Sequence, residues 1–357
     1  MKRAVTVRDV EIGRGRIKIQ SMTNVKTSDA SAVLGQIGAL AQAGCDLVRV
    51  SVPDPASAQA LKEIVPASPL PVVADIHFDY RLALASVENG AHKIRINPGN
   101  IGSFERVRAV ADCCRAHRVP IRVGVNGGSL PKELLDRYGD TPKALAECAV
   151  QNVRLLERAG FEDIVVSVKS TSVRQTVEAN RILFQTLDYP LHLGVTEAGA
   201  AGLGTVKSAI GLGSLLLDGI GDTVRVSLTG DPVQEVGAAR QILQALRLET
   251  DFVEVISCPT CARTECDVEG LARRICELTK NVRAPLQVAV MGCVVNGVGE
   301  GRRADLGIAG GKGKSAIFRR GEVVCTVENG RLLETFQALL NEELARRSRE
   351  AGGNDCP

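Results

Sequence analysis

Asp46-Leu-Val-Arg-Val-Ser-Val52, a helical stretch over Ala56–Val65 and then Pro71-Val-Val-Ala-Asp-Ile76 read as strand, helix and strand. The two outer runs are rich in Val, while the stretch between them spaces its apolar residues with helical period. Near-continuous apolar strands joined by amphipathic helices fit parallel strands buried on both faces. The pattern repeats in both directions. Further strands are expected at Arg16–Thr23, His92–Asn97, Pro120–Val125, Asp163–Val168, Pro190–Thr196 and Asp222–Leu228. Helices are expected at Asp29–Ala43, Tyr80–Asn89, Phe104–Arg115 and Pro142–Ala159, then at Ser172–Leu187, Thr205–Asp218 and Val233–Leu246. Gly44, Gly90, Gly160 and Gly219 end helices where a left-handed cap is needed. Eight consecutive βα units predict an α/β fold, a closed (β/α)8 barrel of the TIM type. A doubly wound open sheet is the alternative, because strand order is invisible in sequence.

After Leu246 the rhythm changes. Strands at Asp251–Ser257 and Pro285–Met291 flank a helix at Glu269–Lys280, and short strands at Asp305–Ile308, Ser315–Arg319 and Glu322–Val327 precede a last helix at Arg331–Arg347. The expected organisation is a barrel over residues 1–248 and a smaller α+β domain over 249–357.

Composition narrows the function classes. A net charge of +3 over 357 residues carries no footprint of nucleic-acid or membrane binding. No apolar run approaches the roughly 18–20 residues that span a bilayer, and the start has no apolar signal core. A cytoplasmic protein is expected. Its eleven cysteines are then not a disulfide framework. Cys45, Cys113, Cys114, Cys148 and Cys276 read as small buried apolar residues of helices, and Cys356 lies in a polar tail.

In a barrel, the C-terminal strand ends converge on one mouth. Those ends supply Arg49, Asp75, His77, Arg95 and Asn97 from strands two to four. Arg122, Asn126, Lys169, Thr196, Glu197, Arg225, Ser227 and Thr229 follow from strands five to eight. Arg49, Arg95, Arg122, Lys169 and Arg225 on apolar strands are costly to bury without anions. Pairing with Asp75 or Glu197 is one account. The better one is a phosphate or diphosphate held by guanidinium forks. Gly199-Ala-Ala-Gly202-Leu-Gly204-Thr-Val-Lys207 supports it, joining a strand to a helix N-terminus. Gly310-Gly-Lys312-Gly313-Lys314-Ser315 is not a P-loop, since Ile308 stands at the first glycine position; it reads as a hairpin loop. His77 reads as a pocket residue, with acid, ligand and core roles all open.

Between Val255 and Glu300 lie Cys258-Pro-Thr-Cys261 and Gly292-Cys293-Val-Val-Asn-Gly297, with Glu300 seven positions past the third thiol. Gathered thiolates favour zinc or an iron–sulfur cluster over hard cations. Cys266 and Cys325 are rival fourth ligands. A structural zinc site usually pairs two short-spaced motifs, and there is no second C-x2-C. Three thiolates plus a carboxylate leave one iron with an exchangeable ligand.

Several stretches resemble the bacterial 4-hydroxy-3-methylbut-2-enyl diphosphate synthase family. They are Gln20-Ser-Met-Thr-Asn24, Ala74-Asp-Ile-His-Phe-Asp-Tyr80, Arg95-Ile-Asn-Pro-Gly-Asn-Ile-Gly102 and Arg122-Val-Gly-Val-Asn-Gly-Gly-Ser129. His192-Leu-Gly-Val-Thr-Glu-Ala-Gly199, Val206-Lys-Ser-Ala-Ile-Gly-Leu-Gly213 and the two cysteine motifs extend the resemblance to nearly the whole chain. It implies Cys258, Cys261, Cys293 and Glu300 as ligands of a [4Fe–4S] cluster. It also implies Arg49, Arg95, Arg122, Lys169, Arg225 and Ser227 as diphosphate holders, with Arg263 in the substrate-binding set. Asp75, His77, Asn97, Asn126 and Glu197 would line the carbon skeleton, Glu197 as proton donor or charge-steering acid. The implied reaction is the two-electron ring opening and dehydroxylation of 2-C-methyl-D-erythritol 2,4-cyclodiphosphate, with flavodoxin or ferredoxin as electron donor. The implied assembly is a head-to-tail homodimer. A non-catalytic metal-containing phosphate-binding barrel and a pterin-type barrel transferase are the competing readings.

Overall fold

The computed structural model of the protein describes residues 3–293 and 299–352. The chain divides into two compact units, Met1–Leu248 and Glu249–Pro357.

The first unit begins with an antiparallel hairpin of β1 (Val5–Val7) and β2 (Val10–Ile12). Eight parallel strands follow: β3 (Lys18–Met22), β4 (Leu47–Ser51), β5 (Val72–Asp75), β6 (Lys93–Ile96), β7 (Ile121–Asn126), β8 (Ile164–Lys169), β9 (His192–Leu193) and β10 (Thr223–Val224). They pair in the order β8-β7-β6-β5-β4-β3-β10-β9. The bridge between Val166 and Leu191 joins β8 to the start of β9 and closes the ring. The architecture is therefore a barrel and not an open doubly wound sheet.

Helices α1 (Ala30–Gln42), α2 (Pro55–Ala67), α3 (Tyr80–Glu88), α4 (Pro98–Ile101), α5 (Phe104–His117), α6 (Lys132–Tyr138), α7 (Pro142–Arg158), α8 (Val173–Thr186), α9 (Ala201–Leu217) and α10 (Pro232–Ala245) fill the connections. Their starts follow local chemistry. Asp29, Asp54, Asp79, Thr141, Ser172 and Asp231 each accept a backbone N–H of the first turn, satisfying donors that a helix cannot pair internally. Gly44, Gly90, Gly160 and Gly219 all have positive φ after their helices, as expected of such caps.

Two features differ from the sequence expectation. The seventh and eighth strands were expected over seven residues each, but β9 and β10 hold the regular ladder for two. Beyond Leu193 the ladder gives way to single bonds, such as Arg225 N–H to Leu193 O at 2.9 Å and Thr196 N–H to Ser170 O at 3.2 Å. The N-terminal hairpin was not anticipated at all. Its Val5, Val7 and Ile12 pack against Leu47, Val73 and Val165, residues near the starts of β4, β5 and β8. The hairpin thus plugs the N-terminal end of the barrel with apolar side chains.

The second unit is a five-stranded sheet, β11 (Val253–Ser257), β12 (Leu286–Met291), β13 (Leu306–Ala309), β14 (Lys314–Arg319) and β15 (Glu322–Glu328), paired in chain order. The first three strands are parallel and the last two antiparallel. Helices α11 (Val268–Thr279) and α12 (Leu332–Gly352) belong to its core through Val268, Ile275, Leu332, Phe336 and Leu340. The loop Gly310–Gly313 joins antiparallel β13 and β14, so it is a hairpin turn as expected. Cys276 is exposed, contrary to expectation. It follows the buried Ile275, and one helical step of about 100° turns it off the apolar face. Cys113 is only partly buried, while Cys45, Cys114 and Cys148 are buried. Cys356 lies outside the described residues.

The plug makes a stability prediction. Ile12 is fully buried, so Ile12→Ala should destabilise the barrel by about 2–4 kcal/mol. The three tyrosines, Tyr80, Tyr138 and Tyr189, all lie in the first unit and there is no tryptophan. Urea unfolding followed by tyrosine fluorescence therefore reads the barrel; an unchanged midpoint would mean that the hairpin contributes nothing.

Candidate functional site

Strands β3 to β10 point alternate side chains inward, and at their C-terminal ends these line a cavity of about 210 Å³. Arg49, Asp75, His77, Arg95 and Arg122 form one part of its wall. Asn126, Lys169, Arg225 and Ser227 form another, and Met22, Gly124, Ser167 and Thr196 complete it.

Asp75 is the one carboxylate among the described lining residues. Its Oδ1 accepts from Arg95 Nη1 at 3.0 Å, and its Oδ2 lies 3.6 Å from Arg49 Nε and 3.7 Å from His77 Nε2. Burial on its own raises the Asp75 pKa, but attraction to Arg49, then Arg95, Arg122 and His77 outweighs it and brings the carboxyl down to about 2. The stabilisation from this ionised group is therefore present above the usual carboxylate value of about 4 and is lost as pH falls towards about 2.

Arg49 also donates to the Met22 thioether, from Nε at 3.1 Å and Nη2 at 3.0 Å. Burial lowers its pKa to about 10, Asp75 opposing and Arg225 and Arg95 adding to the shift. Arg225 is held by Glu235 on α10, with Nε and Nη2 each 3.3 Å from a carboxylate oxygen. Glu235 also accepts from Ser21 Oγ at 3.0 Å and Leu228 N–H at 3.1 Å. Arg95 Nη2 donates to Gly124 O at 3.3 Å. A Cβ on Gly124 would fall 2.3 Å from Arg95 Nε, so glycine is what admits that guanidinium.

Arg122 differs from these. It is 1% exposed, and neither its Nε nor its Nη1 has an acceptor among the described residues. Below it, the fully buried Lys93 Nζ likewise has none. Burial, then repulsion by neighbouring guanidiniums, drives the pKa of both well below the ordinary values. Cationic donors desolvated without acceptors are costly unless an anion meets them. The ion pairing with Asp75 weighed from sequence is real for Arg49 and Arg95, but it leaves Arg122 unmatched.

Other expected residues lie elsewhere. Asn97 is buried, but its Oδ1 caps α4 by accepting Gly99 N–H at 3.2 Å. Glu197 is exposed, off the cavity lining, with φ of +50°. A non-glycine residue in that region carries backbone strain of order 1–3 kcal/mol. Thr229 is exposed, its N–H donating to Gly199 O at 3.1 Å. In the Gly199–Lys207 stretch, α9 starts after Ala200 with no side-chain cap. Met22, Ser167, Glu235, Lys93 and His192 were not picked out from sequence. Inspecting strand ends alone misses inward positions lower on the strands; stepping back by two from Arg95 and Gly194 finds Lys93 and His192.

In the second unit, Cys258 follows β11 and Cys293 lies two residues past β12, at the C-terminal ends of adjacent parallel strands. Gly292 N–H donates to Cys258 Sγ at 3.1 Å. Gly292 is tightly enclosed, since a Cβ would sit 2.8 Å from Val268 Cγ2. Cys261 is exposed, and bonds from the Arg263 backbone, then its side chain, lower the thiol pKa. Arg263 is exposed beside it. Cys258 and Cys261 thus each accept an N–H bond of the kind that a thiolate in a soft-metal or iron–sulfur site would need. Among the described residues, no three His, Cys, Asp or Glu side chains close on one point. The segment 294–298 and the Glu300 side chain fall outside the described residues. Sheet order removes one rival: β15, with Cys325, is four strands from β11, roughly 19 Å at the usual spacing. Cys266 is half-buried and remains near Cys258 and Cys293, its pKa raised by burial first and then by those thiols.

The sequence profile described as the GcpE TIM-barrel domain matches residues 2–240, and that of the GcpE protein C-terminal domain matches residues 254–342. The chain belongs to the GcpE family. A curated relative from Caldanaerobacter subterraneus subsp. tengcongensis is 54% identical over 323 residues, covering 90% of this chain and 91% of the relative. Another, from Clostridium perfringens, is 53% identical over 334 residues, covering 93% and 96%. Both are named 4-hydroxy-3-methylbut-2-en-1-yl diphosphate synthase (flavodoxin). Among solved structures, dihydropteroate synthase from Stenotrophomonas maltophilia aligns with a TM-score of 0.51 at 16% identity, covering 68% of this chain and 98% of that one. At this identity the likeness shows a shared barrel and nothing of the chemistry. No helix among the described residues is long and apolar enough to cross a membrane.

The glycine under Arg95 offers a test. Gly124→Ala should leave the fold intact but displace the guanidinium, weakening inorganic diphosphate binding by at least about tenfold. Isothermal titration checks it; unchanged affinity would separate Arg95 from anion binding.

Proposed function

We propose that this chain is a cytoplasmic iron–sulfur oxidoreductase with the activity its curated relatives are named for. It reductively opens 2-C-methyl-D-erythritol 2,4-cyclodiphosphate and removes one hydroxyl as water, forming 4-hydroxy-3-methylbut-2-enyl diphosphate. The observation that carries the reading is the buried Arg122 with unmet donors inside a ring of further cations. Such a ring suits a diphosphate, whose oxygens accept from several guanidiniums at once.

In this reading residues 1–248 bind the substrate and 249–357 carry a [4Fe–4S] cluster on Cys258, Cys261, Cys293 and Glu300. When bound, the cluster supplies single electrons and a Lewis-acidic iron. Arg49, Arg95, Arg122, Lys169, Arg225 and Ser227 hold the diphosphate and stabilise the negative charge that grows on it as the ring opens. Asp75 keeps Arg49 and Arg95 in place, while His77 and Asn126 border the carbon skeleton and Asn97, expected there too, caps α4 instead. Glu197, exposed beyond β9, donates a proton to the departing oxygen or steers its charge. Arg263 meets the substrate from the second unit. Electrons come from flavodoxin or ferredoxin, and two chains pair head to tail so that each barrel meets the other chain's cluster unit.

Anaerobic protein analysed for iron, sulfide and zinc should give about four irons and four sulfides per chain, and should turn over the cyclodiphosphate with a reductant. Stoichiometric zinc without sulfide, in protein that cannot be reconstituted with iron, would sink the proposal. For the dimer, a Cys293→Ala subunit mixed with an Arg122→Ala subunit should recover one good site of two; verified heterodimers with no activity would count against head-to-tail sharing.

A further inference from the structure

Beneath the mouth lies a buried hydrogen-bonded series of which the proposed chemistry uses only Lys169. Lys169 turns back into the barrel because Gly194 has no side chain: a Cβ there would fall 2.7 Å from Lys169 Nζ. Its Nζ lies 3.1 Å from His192 Nε2, and His192 Nδ1 lies 2.7 Å from Thr223 Oγ1. His192 and Thr223 are fully buried and Lys169 is 7% exposed. Solvent therefore cannot replace a partner lost by His192 or Thr223.

Two protonation states satisfy both hydrogen bonds of this series. A charged Lys169 donates to Nε2, and Nδ1–H donates to the Thr223 oxygen. A neutral Lys169 accepts from Nε2–H, and the Thr223 hydroxyl donates to Nδ1. The imidazole swaps tautomer between the two, and a hydroxyl, being donor and acceptor, serves both. One proton is the net difference.

The charge around Lys169 chooses between them. Facing it are Arg49, Arg95, Arg122, Arg225 and Lys93, with Asp75 and Glu235 as carboxylates and His77 at the rim. Guanidiniums do not shed protons in proteins, so relief of the excess falls to the lysines. Burial first, then repulsion from Arg122, Arg225, Arg49 and Arg95 holds the Lys169 ammonium pKa well below its ordinary value. Burial, then Lys169, does the same for His192. A dianion among these groups offsets the cationic excess and so favours charged Lys169.

We propose that His192, oriented by Thr223, is a positioning residue that lets Lys169 gain a proton as an anion enters, so that substrate binding takes up a proton in the barrel. The proposal rests on the reading of the mouth as a phosphate-ester site and adds a coupling that the reading does not require.

The test is anaerobic isothermal titration of oxidised holoenzyme with the cyclodiphosphate, without reductant, in buffers of different ionisation enthalpy. Each phosphorus of that ligand is a diester with no ionisation near neutrality, so any proton counted belongs to the protein. At mildly alkaline pH the wild type should take up about one proton. His192→Phe should weaken binding by about tenfold and lose most of the uptake. His192→Gln, whose amide both accepts and donates, should keep most of both. No uptake by the wild type, or equal uptake by His192→Phe, overturns the proposal. If His192→Phe fails to fold, Thr223→Val stands in, and unchanged uptake there overturns the role of Thr223. Sulfate, a dianion near neutrality, separates the two readings. Sulfate binding with proton uptake, without cyclodiphosphate binding, would sink the substrate assignment and leave the coupling standing. If neither dianion binds, both fall.

Discussion

A carboxylate against two guanidiniums, Asp75 with Arg49 and Arg95, is the interaction on which the barrel pocket depends. The barrel strands are shut off from solvent, with Val48, Val50, Ile94, Ile96, Val123 and Val166 fully buried on their outer faces against the helices. Placing cations within such a wall is unfavourable unless their charge is matched. Asp75 matches part of it, and Glu235, reaching from a helix, matches Arg225. The matching is incomplete by design of the sequence: more cations than carboxylates face the cavity. That excess is stability withheld from the free protein and returned when an anion binds, so affinity and stability are linked through the same residues.

Small residues make this crowding possible. Gly124 yields its space to Arg95, and Gly194 yields its space to Lys169. Gly124 sits on the strand beside that of Arg95, and Gly194 just past the end of the strand beside that of Lys169. The second unit works similarly at smaller scale. Parallel pairing of β11 and β12 brings Cys258 beside the turn that carries Cys293, and Gly292 lets the chain approach closely enough for an N–H···S contact.

The alternation of strand and helix was legible because each unit is strongly periodic and capped by recognisable residues. Of the residues read from the strand ends, Arg49, Asp75, His77, Arg95, Arg122, Asn126, Lys169, Thr196, Arg225 and Ser227 line the cavity. What stayed hidden depends on pairing that sequence does not display. The β1–β2 hairpin is short, and its apolar residues gain meaning only against Leu47, Val73 and Val165. Asn97 read as a pocket residue, yet it follows a strand and precedes Pro98 at a helix start, where a capping role competes. Glu197 stands in a motif with glycine at Gly199, and nothing local announces its left-handed backbone. Cys325 was a rival ligand until sheet order set it on the opposite edge from Cys258. His192 lies two residues below a strand end, and only the missing side chain at Gly194 connects it to Lys169.

The apolar hairpin under the barrel has a kinetic consequence. With Val5, Val7 and Ile12 sealing the far end, the barrel is a blind vessel. Whatever enters past Phe78 and His77 must leave by the same aperture, and any reducing group must approach through it as well. Arrival, reduction and departure then queue at one opening. A product slow to leave would obstruct the next substrate directly.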